Sequence, residues 1–203
     1  MDLHAELGEA PMVKKVLGIL GSPCVKGNTA ILLDAVLEGA SGAGAEVERL
    51  DLARMDIHPC TECRECEIGI DCAQHRDDMS KIYKRIREVD AIVLASPIFF
   101  MDVTAQTKAM IDRCQCFWFE KYVMKRRAYE GRRMPKGLFV SCAGSAKPIV
   151  FEPAIHVVTA FFSAIDYEYA GEVFLNNTDD PDLSARMESV LDEARAAGRR
   201  ICQ

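Results

Sequence analysis

Short β-rich apolar runs recur along this chain, separated by helical patterns, and that alternation leaves few architectures open. A strand that returns to the same sheet through a helix must pair in parallel, with the helices stacked on the sheet faces. Residues 16–20 (VLGIL) read as a buried first strand, 30–43 as an Ala- and Leu-rich helix, and 46–52 (EVERLDL) as an alternating second strand. Residues 79–90 place Met79, Ile82, Ile86 and Val89 at helical spacing with Asp77 or Asp78 as N-cap, and 91–96 (AIVLAS) form the third strand. A helix over 104–117, a basic connection, a strand over 137–143, a helix over 152–164, a strand over 167–175 and a helix over 181–202 complete five βα units. No repeat or long linker interrupts them, so residues 13–203 are expected to form one domain behind a short tail at 1–12.

Cysteine usage is uneven. Four of nine cysteines fall in "CTECRECEIGIDC", residues 60–72, inside an insertion at 58–78. A chain of 203 residues with 49% apolar content builds its core without disulfide staples. The opening "MDLHAELGEAPMVKK" mixes acids with apolar residues, so neither a signal nor a transit peptide is expected, and no apolar run approaches membrane-spanning length. These features predict a cytoplasmic protein without a membrane partner, in a compartment where clustered thiols bind metal or do redox chemistry. A net charge of -6 argues against nucleic acid as the main partner.

In an open parallel sheet, ligands sit beyond the carboxyl ends of the strands. Three connections there carry chemistry. "GSPCVKGNT", 21–29, leads the first strand into the first helix. Gly21 and Gly27 permit tight turns, and Ser22, Asn28 and Thr29 stand beside the free N–H groups of a helix start, which suits a terminal phosphomonoester such as that of FMN. It is neither a Walker loop nor a G-x-G-x-x-G turn; the plainer alternative is a βα turn capped by Asn28 or Thr29. "SPIFFMDVTAQTKAMIDR", 96–113, sets Pro97 before Ile98, Phe99, Phe100 and Met101, four large apolar residues that offer a bed for an isoalloxazine ring or, alternatively, pack at the sheet edge or an interface. Lys108 and Asp112 are spaced for a surface ion pair. "SCAGSAKP", 141–148, is small enough to approach a ligand edge, although many ordinary loops share its composition.

In their order and spacing these motifs, with the cysteine run and the "DDM" that follows it, resemble the flavodoxin-like NAD(P)H-dependent FMN reductase superfamily, and within it the iron-sulfur flavoprotein branch. The resemblance covers about residues 16–164. It implies a flavodoxin-like open twisted sheet of five parallel strands in the order 2-1-3-4-5, with helices on both faces. It also implies that Ser22, Lys26, Gly27, Asn28 and Thr29 hold the FMN phosphate, that Pro97, Ile98, Phe99 and Phe100 line the ring, and that Ala143 and Gly144 approach its far side. The chain departs from a common Tyr-Trp-Gly pattern at Phe99, Phe100 and Met101, which bears on access by a nicotinamide.

The spacing C-x2-C-x2-C brings three thiolates to one side of a cubane, and Gly69 lets the chain reverse so that Cys72 closes the same site as Cys60, Cys63 and Cys66. A 4Fe-4S cluster fits this pattern better than zinc, which favours separated C-x2-C knuckles, or a dithiol, which needs only two cysteines. An unfilled remnant stays open. Cys24, Cys114, Cys116, Cys142 and Cys202 are expected to pack as small hydrophobes; His58 and His75 bracket the run, and His4 and His156 have no motif around them. Between Lys121 and Lys136 lie seven basic residues, Lys121, Lys125, Arg126, Arg127, Arg132, Arg133 and Lys136, against Glu130. They suit a solvated surface, an acidic donor such as ferredoxin, or the extra phosphate of NADPH. Phe117, Trp118 and Phe119 suggest an oligomer contact, and relatives in the superfamily are commonly dimers or tetramers.

The function expected is an electron-transfer flavoprotein oxidoreductase passing single electrons between the cluster and FMN. The alternatives are an NAD(P)H-dependent FMN or quinone reductase with a structural cysteine segment, and a redox or metal sensor.

Overall fold

The computed structural model describes residues 14–68, 71–72, 76–126, 129 and 133–203. The expected tail at 1–12, with His4, and Gly69, His75, Arg127, Glu130 and Arg132 lie outside them.

Five strands, β1 (Lys15–Leu20), β2 (Glu46–Asp51), β3 (Ala91–Ala95), β4 (Lys136–Cys142) and β5 (Glu168–Leu175), pair in the order β2-β1-β3-β4-β5, every ladder parallel. The period-two alternation of the central strands divides the core. Leu17, Ile19, Ile92, Leu94 and Phe139 face α2 (Met79–Glu88), α3 (Ala105–Asp112), α4 (Gln115–Trp118) and α5 (Glu152–Ala164). Val16, Leu20, Val93, Ala95, Leu138 and Val140 face α1 (Asn28–Gly42) and α6 (Leu183–Ile201). Both faces are covered, as the continuous apolar runs of β1 and β3 require.

Helices α1 and α6 touch backbone to backbone. A Cβ on Gly39 would stand 2.0 Å from the Arg195 carbonyl oxygen, and one on Gly198 would stand 2.0 Å from that of Val36. Small residues at both positions therefore set how closely α6 rests on α1, the helix that starts at the first connection.

Three expectations need correction. The helix expected over 104–117 divides: α3 ends at Asp112, Arg113 caps it, and α4 runs on through a π-helical turn, Phe119–Val123. At the break the Cys114 N–H bonds the Ile111 carbonyl and the Phe117 N–H bonds that of Cys114, tighter i to i−3 contacts that turn Cys114, Cys116 and Phe117 into the core. Phe117 thus has a home within the subunit, edge-on to Tyr83 and under the Arg87 guanidinium at 4.4 Å, whereas Trp118 is exposed and Phe119 half-buried. Lys121 is no docking cation; it donates to the Ser163 carbonyl at 2.6 Å and pairs with Asp166 at 3.0 Å, at the C-terminal end of α5. Lys125 and Arg126 remain exposed.

Candidate functional site

The strand order reverses between β1 and β3, and the connections leaving β1, β3 and β4 meet beyond their carboxyl ends. Backbone bonds stitch them together. The Gly21 N–H reaches the Ala95 carbonyl at 2.7 Å, that of Ser96 reaches Val140 at 3.0 Å, and that of Ile98 reaches Cys142 at 2.9 Å. The Ser141 hydroxyl donates to the Ser96 carbonyl at 2.7 Å.

In the first connection Gly27, not Asn28 or Thr29, is the N-cap of α1; its backbone is extended, and no side chain caps the helix. Asn28 and Thr29 are already helical. The first in-helix bond at this end is from Ile31 to Gly27, which leaves the N–H groups of Asn28, Thr29 and Ala30 directed out of the helix start. Ser22 is buried, exchanging bonds with the Cys24 backbone at 3.1 Å, while Lys26 is exposed. Cys24 is exposed as well, contrary to its expected packing. Arg49 of β2 braces this loop, a role its sequence gave no sign of: its Nη2 donates to the Val25 carbonyl at 2.9 Å while Asp34 and Asp51 hold its other nitrogens.

In the second connection Pro97 and Ile98 are half-buried, and Phe99, Phe100 and Met101 are exposed. Phe99 and Asp102 exchange backbone bonds across a two-residue tip, where Phe100 (φ 52°) and Met101 (φ 67°) both take the left-handed region. Holding two non-glycine residues there stores roughly 1–3 kcal/mol each. Asp102 leads back to Thr104, the N-cap of α3, whose Oγ1 donates to the Gly21 carbonyl at 2.5 Å and meets Thr107 Oγ1 at 2.9 Å. Gly21 leaves no room for a side chain, since its Cβ would fall 1.7 Å from Thr107 Oγ1. Replacing Thr104 with valine keeps the shape but orphans the buried Gly21 carbonyl. The expected loss is about 1–3 kcal/mol, read from urea unfolding. Lys108 and Asp112 form the surface pair expected of them, at 2.7 Å. In the third connection Ala143 is buried and Gly144 exposed beside Asp179.

The cysteine segment follows β2 at the same end of the sheet. Cys60, Cys63, Cys66 and Cys72 are all free thiols and all line one cavity of about 430 Å³, with Arg113, Asp112, Gln115 and Phe119 on its α3–α4 side. Cys60 and Cys63 are exposed, Cys66 and Cys72 half-buried. Burial pushes the Cys66 thiol up, and Cys72, Cys60 and Cys63 add repulsion, so the four sulfurs share one electrostatic neighbourhood. Among the described residues no three His, Cys, Asp or Glu side chains close on a single-ion site; the thiols stand around the cavity wall instead. Cys116 and Cys142 are ordinary core residues whose thiols burial pushes up to about 12.

A residue that sequence reasoning missed anchors this segment. Arg113 is buried and Asp77 partly so, but each side chain is only about 1% exposed, and the two pair at 2.7 Å. Arg113 Nε donates to Cys72 Sγ at 3.2 Å and Nη1 to the His58 carbonyl at 2.9 Å. Asp77 also accepts the N–H groups of His58 at 3.0 Å and Met79 at 3.1 Å, so the carboxylate expected to start α2 closes the cysteine insertion too. The available signal was a cation three residues after Met110 and four before Phe117, on the helical face those two apolar residues share. His58 is half exposed, with Nδ1 3.5 Å from Asp77.

Residues 14–164 match the family described as NADPH-dependent FMN reductase. The chain belongs to that family. Among the relatives of this chain, an iron-sulfur flavoprotein of Archaeoglobus fulgidus is 43% identical over 99 residues, covering 49% of this chain and 44% of that protein. One of Methanosarcina thermophila is 31% identical over 113 residues, covering 56% and 59%. The chain spans about half the length of the curated relatives it matches. Solved structures share the fold: an NAD(P)H:quinone oxidoreductase from Methanothermobacter marburgensis (TM-score 0.66, 22% identity, 93% of this chain and 97% of that one) and an FMN-dependent NADH-azoreductase from Bacillus anthracis in complex with FMN (TM-score 0.71, 13% identity, 94% and 100%).

Proposed function

We propose that this chain is an FMN-dependent oxidoreductase that also carries a 4Fe-4S cluster and moves single electrons between the two. The observation that carries the second half is the cavity wall. Four unpaired thiols around one space, none closed on a point, form the donor set a cubane takes, one sulfur to each iron corner. The iron-sulfur flavoproteins among its relatives support the same reading.

The residues at the three connections fit a flavin mononucleotide. The free N–H groups of Asn28, Thr29 and Ala30, with Ser22, Lys26 and Gly27 beside them, form a cradle for a dianionic phosphate at the positive end of α1. Pro97, Ile98, Phe99 and Phe100 offer an apolar bed for the ring, and Ala143 and Gly144 close in from β4. When bound, the flavin supplies both hydride and single-electron chemistry, and the cluster single-electron chemistry. The protein's part is to place and insulate them; no side chain is required as nucleophile or base. NAD(P)H or a ferredoxin-like protein would serve as donor, and the exposed Met101 and Trp118 suit contact with a second copy of the chain. No helix among the described residues is long and apolar enough to cross a membrane.

Anaerobic purification with iron, sulfide and flavin analysis tests the proposal. About four iron per FMN and a broad visible absorbance beneath the flavin bands are expected. Flavin without iron, bleached by NADPH, would support a plain NAD(P)H-dependent reductase instead; the absence of both after reconstitution would defeat either redox reading and leave a sensor. Cys66→Ala should lower bound iron severalfold while flavin is retained, and normal iron in that variant would show the ligand set to be wrong.

A further inference from the structure

We infer that Arg113 is a positioning residue that raises the reduction potential of the cluster, by donating its Nε–H to Cys72 Sγ and holding a positive charge against that sulfur. The inference rests on the cluster reading above and extends it to a residue outside the cysteine run.

Burying a guanidinium costs several kcal/mol even when it is paired, and an apolar side chain would fill the same place at less expense. What an arginine adds is a fork with several edges. One edge faces Asp77, Nη1 to Oδ2 at 2.7 Å and Nη2 to Oδ1 at 3.4 Å. Nη1 also serves the His58 carbonyl, at 2.9 Å. The remaining Nε–H points at Cys72 Sγ, 3.2 Å away. Both ends of the residue are held, for its backbone carbonyl accepts the buried Tyr83 hydroxyl at 2.9 Å. The contact is therefore aimed by Asp77, His58 and Tyr83 together. It lies on the inner side of the cavity, whereas Cys60 and Cys63 are on the exposed side.

An electron added to a thiolate-ligated cluster spreads onto its sulfurs. A cationic N–H donor on one of them favours the electron-rich state, and hydrogen bonds to sulfur and net local charge are among the established controls of cluster potential. The other charged groups around the cavity largely oppose this. Glu62, Glu67 and Asp112 line it, Asp71 lies nearby on Arg87, and Arg64 is tied at the surface to Glu67 at 2.6 Å. Among the described residues Arg113 is the buried cation that touches a cysteine sulfur. A lysine would keep the charge but not the Nε–H held in the plane of the Asp77 bridge.

The test is an EPR-monitored redox titration of the anaerobically reconstituted full chain, unaltered and as Arg113→Lys and Arg113→Gln, with dithionite as the one-electron donor. Both variants should hold the same iron and sulfide and reduce less readily, by tenfold or more in the equilibrium constant, or about 59 mV for a one-electron couple. The glutamine variant should fall further, since the Asp77 carboxylate is then left without its cation. An intact cluster with an unshifted potential in both variants overturns the inference while leaving the cluster reading standing. An unaltered chain that takes up no iron defeats both. Should the variants fail to fold, pulsed EPR on ¹⁵N-arginine-labelled protein carrying Arg64→Lys replaces them. A ¹⁵N coupling from the remaining cavity arginine is then expected, and its absence overturns the inference.

Discussion

Asp77→Ala is expected to lose about 3–5 kcal/mol of folding stability, because it strands the Arg113 guanidinium in the interior without its counter-charge. No water replaces the carboxylate easily, since both side chains are about 1% exposed. The same substitution removes the acceptor for the His58 and Met79 N–H groups, so the entry to the cysteine insertion and the start of α2 loosen together. Denaturant unfolding measures the loss, and a value under about 1 kcal/mol would mean that Arg113 reaches solvent once Asp77 is gone. The pH dependence has a defined sign. Burial alone would raise the Asp77 pKa, but the Arg113 guanidinium and the N–H groups of His58 and Met79 outweigh it and hold the carboxyl below the usual carboxylate range. A group with a lower pKa folded than unfolded binds fewer protons in the native state. Its contribution is complete above the unfolded value of about 3.9 and drains away as the pH falls through the native one. Unaltered protein and Asp77→Asn should thus differ most near neutrality and converge in acid.

The second large effect belongs to the crossing of α1 and α6. Gly198→Leu should cost about 3 kcal/mol, since the obstacle is the Val36 carbonyl and the Ala40 nitrogen rather than a side chain that can swing away. For a chain of this size that is a fall in melting temperature of roughly 6–12 °C. Gly198→Ala provides a test of sign. Helix propensity favours alanine by about 1 kcal/mol, so a loose crossing would make this variant more stable. Contact at 2.0 Å predicts that it melts lower. Because α6 seats α1, and α1 begins at the cradle proposed for the FMN phosphate, weaker FMN retention should accompany the loss.

What could be read from sequence follows from the range over which each signal acts. Strands such as Ala91–Ala95 and helices such as Glu152–Ala164 announce themselves through local periodicity, and the expected bounds of that helix match the observed ones. The strand order came from motif resemblance and agrees with the pairing found. The break after Asp112 was hidden because Ala105 to Phe117 carries no proline or glycine to mark it; it arises where the Arg113 side chain turns inward. The role of Arg113 is not legible locally because its partners Asp77 and Cys72 lie 36 and 41 residues away in the chain, beyond any helical or strand period. The same holds for Arg49, whose bond to Val25 reaches across 24 residues. Local pattern locates elements, and nothing local says which buried charge meets which.

Helix α3 has Thr104 on the Gly21 carbonyl at its start and Arg113 on Cys72 just past its end. An α-helix turns about 100° and rises about 1.5 Å per residue. Inserting or deleting one residue within Ala105–Asp112 would therefore swing Arg113 a quarter-turn or more away from the cysteine wall while Thr104 stayed in place. The exposed Ala105 and partly exposed Gln106 and Lys108 tolerate exchange, yet the number of residues between the two anchors does not. In this stretch the chain is constrained by count more than by composition, as a spacer is.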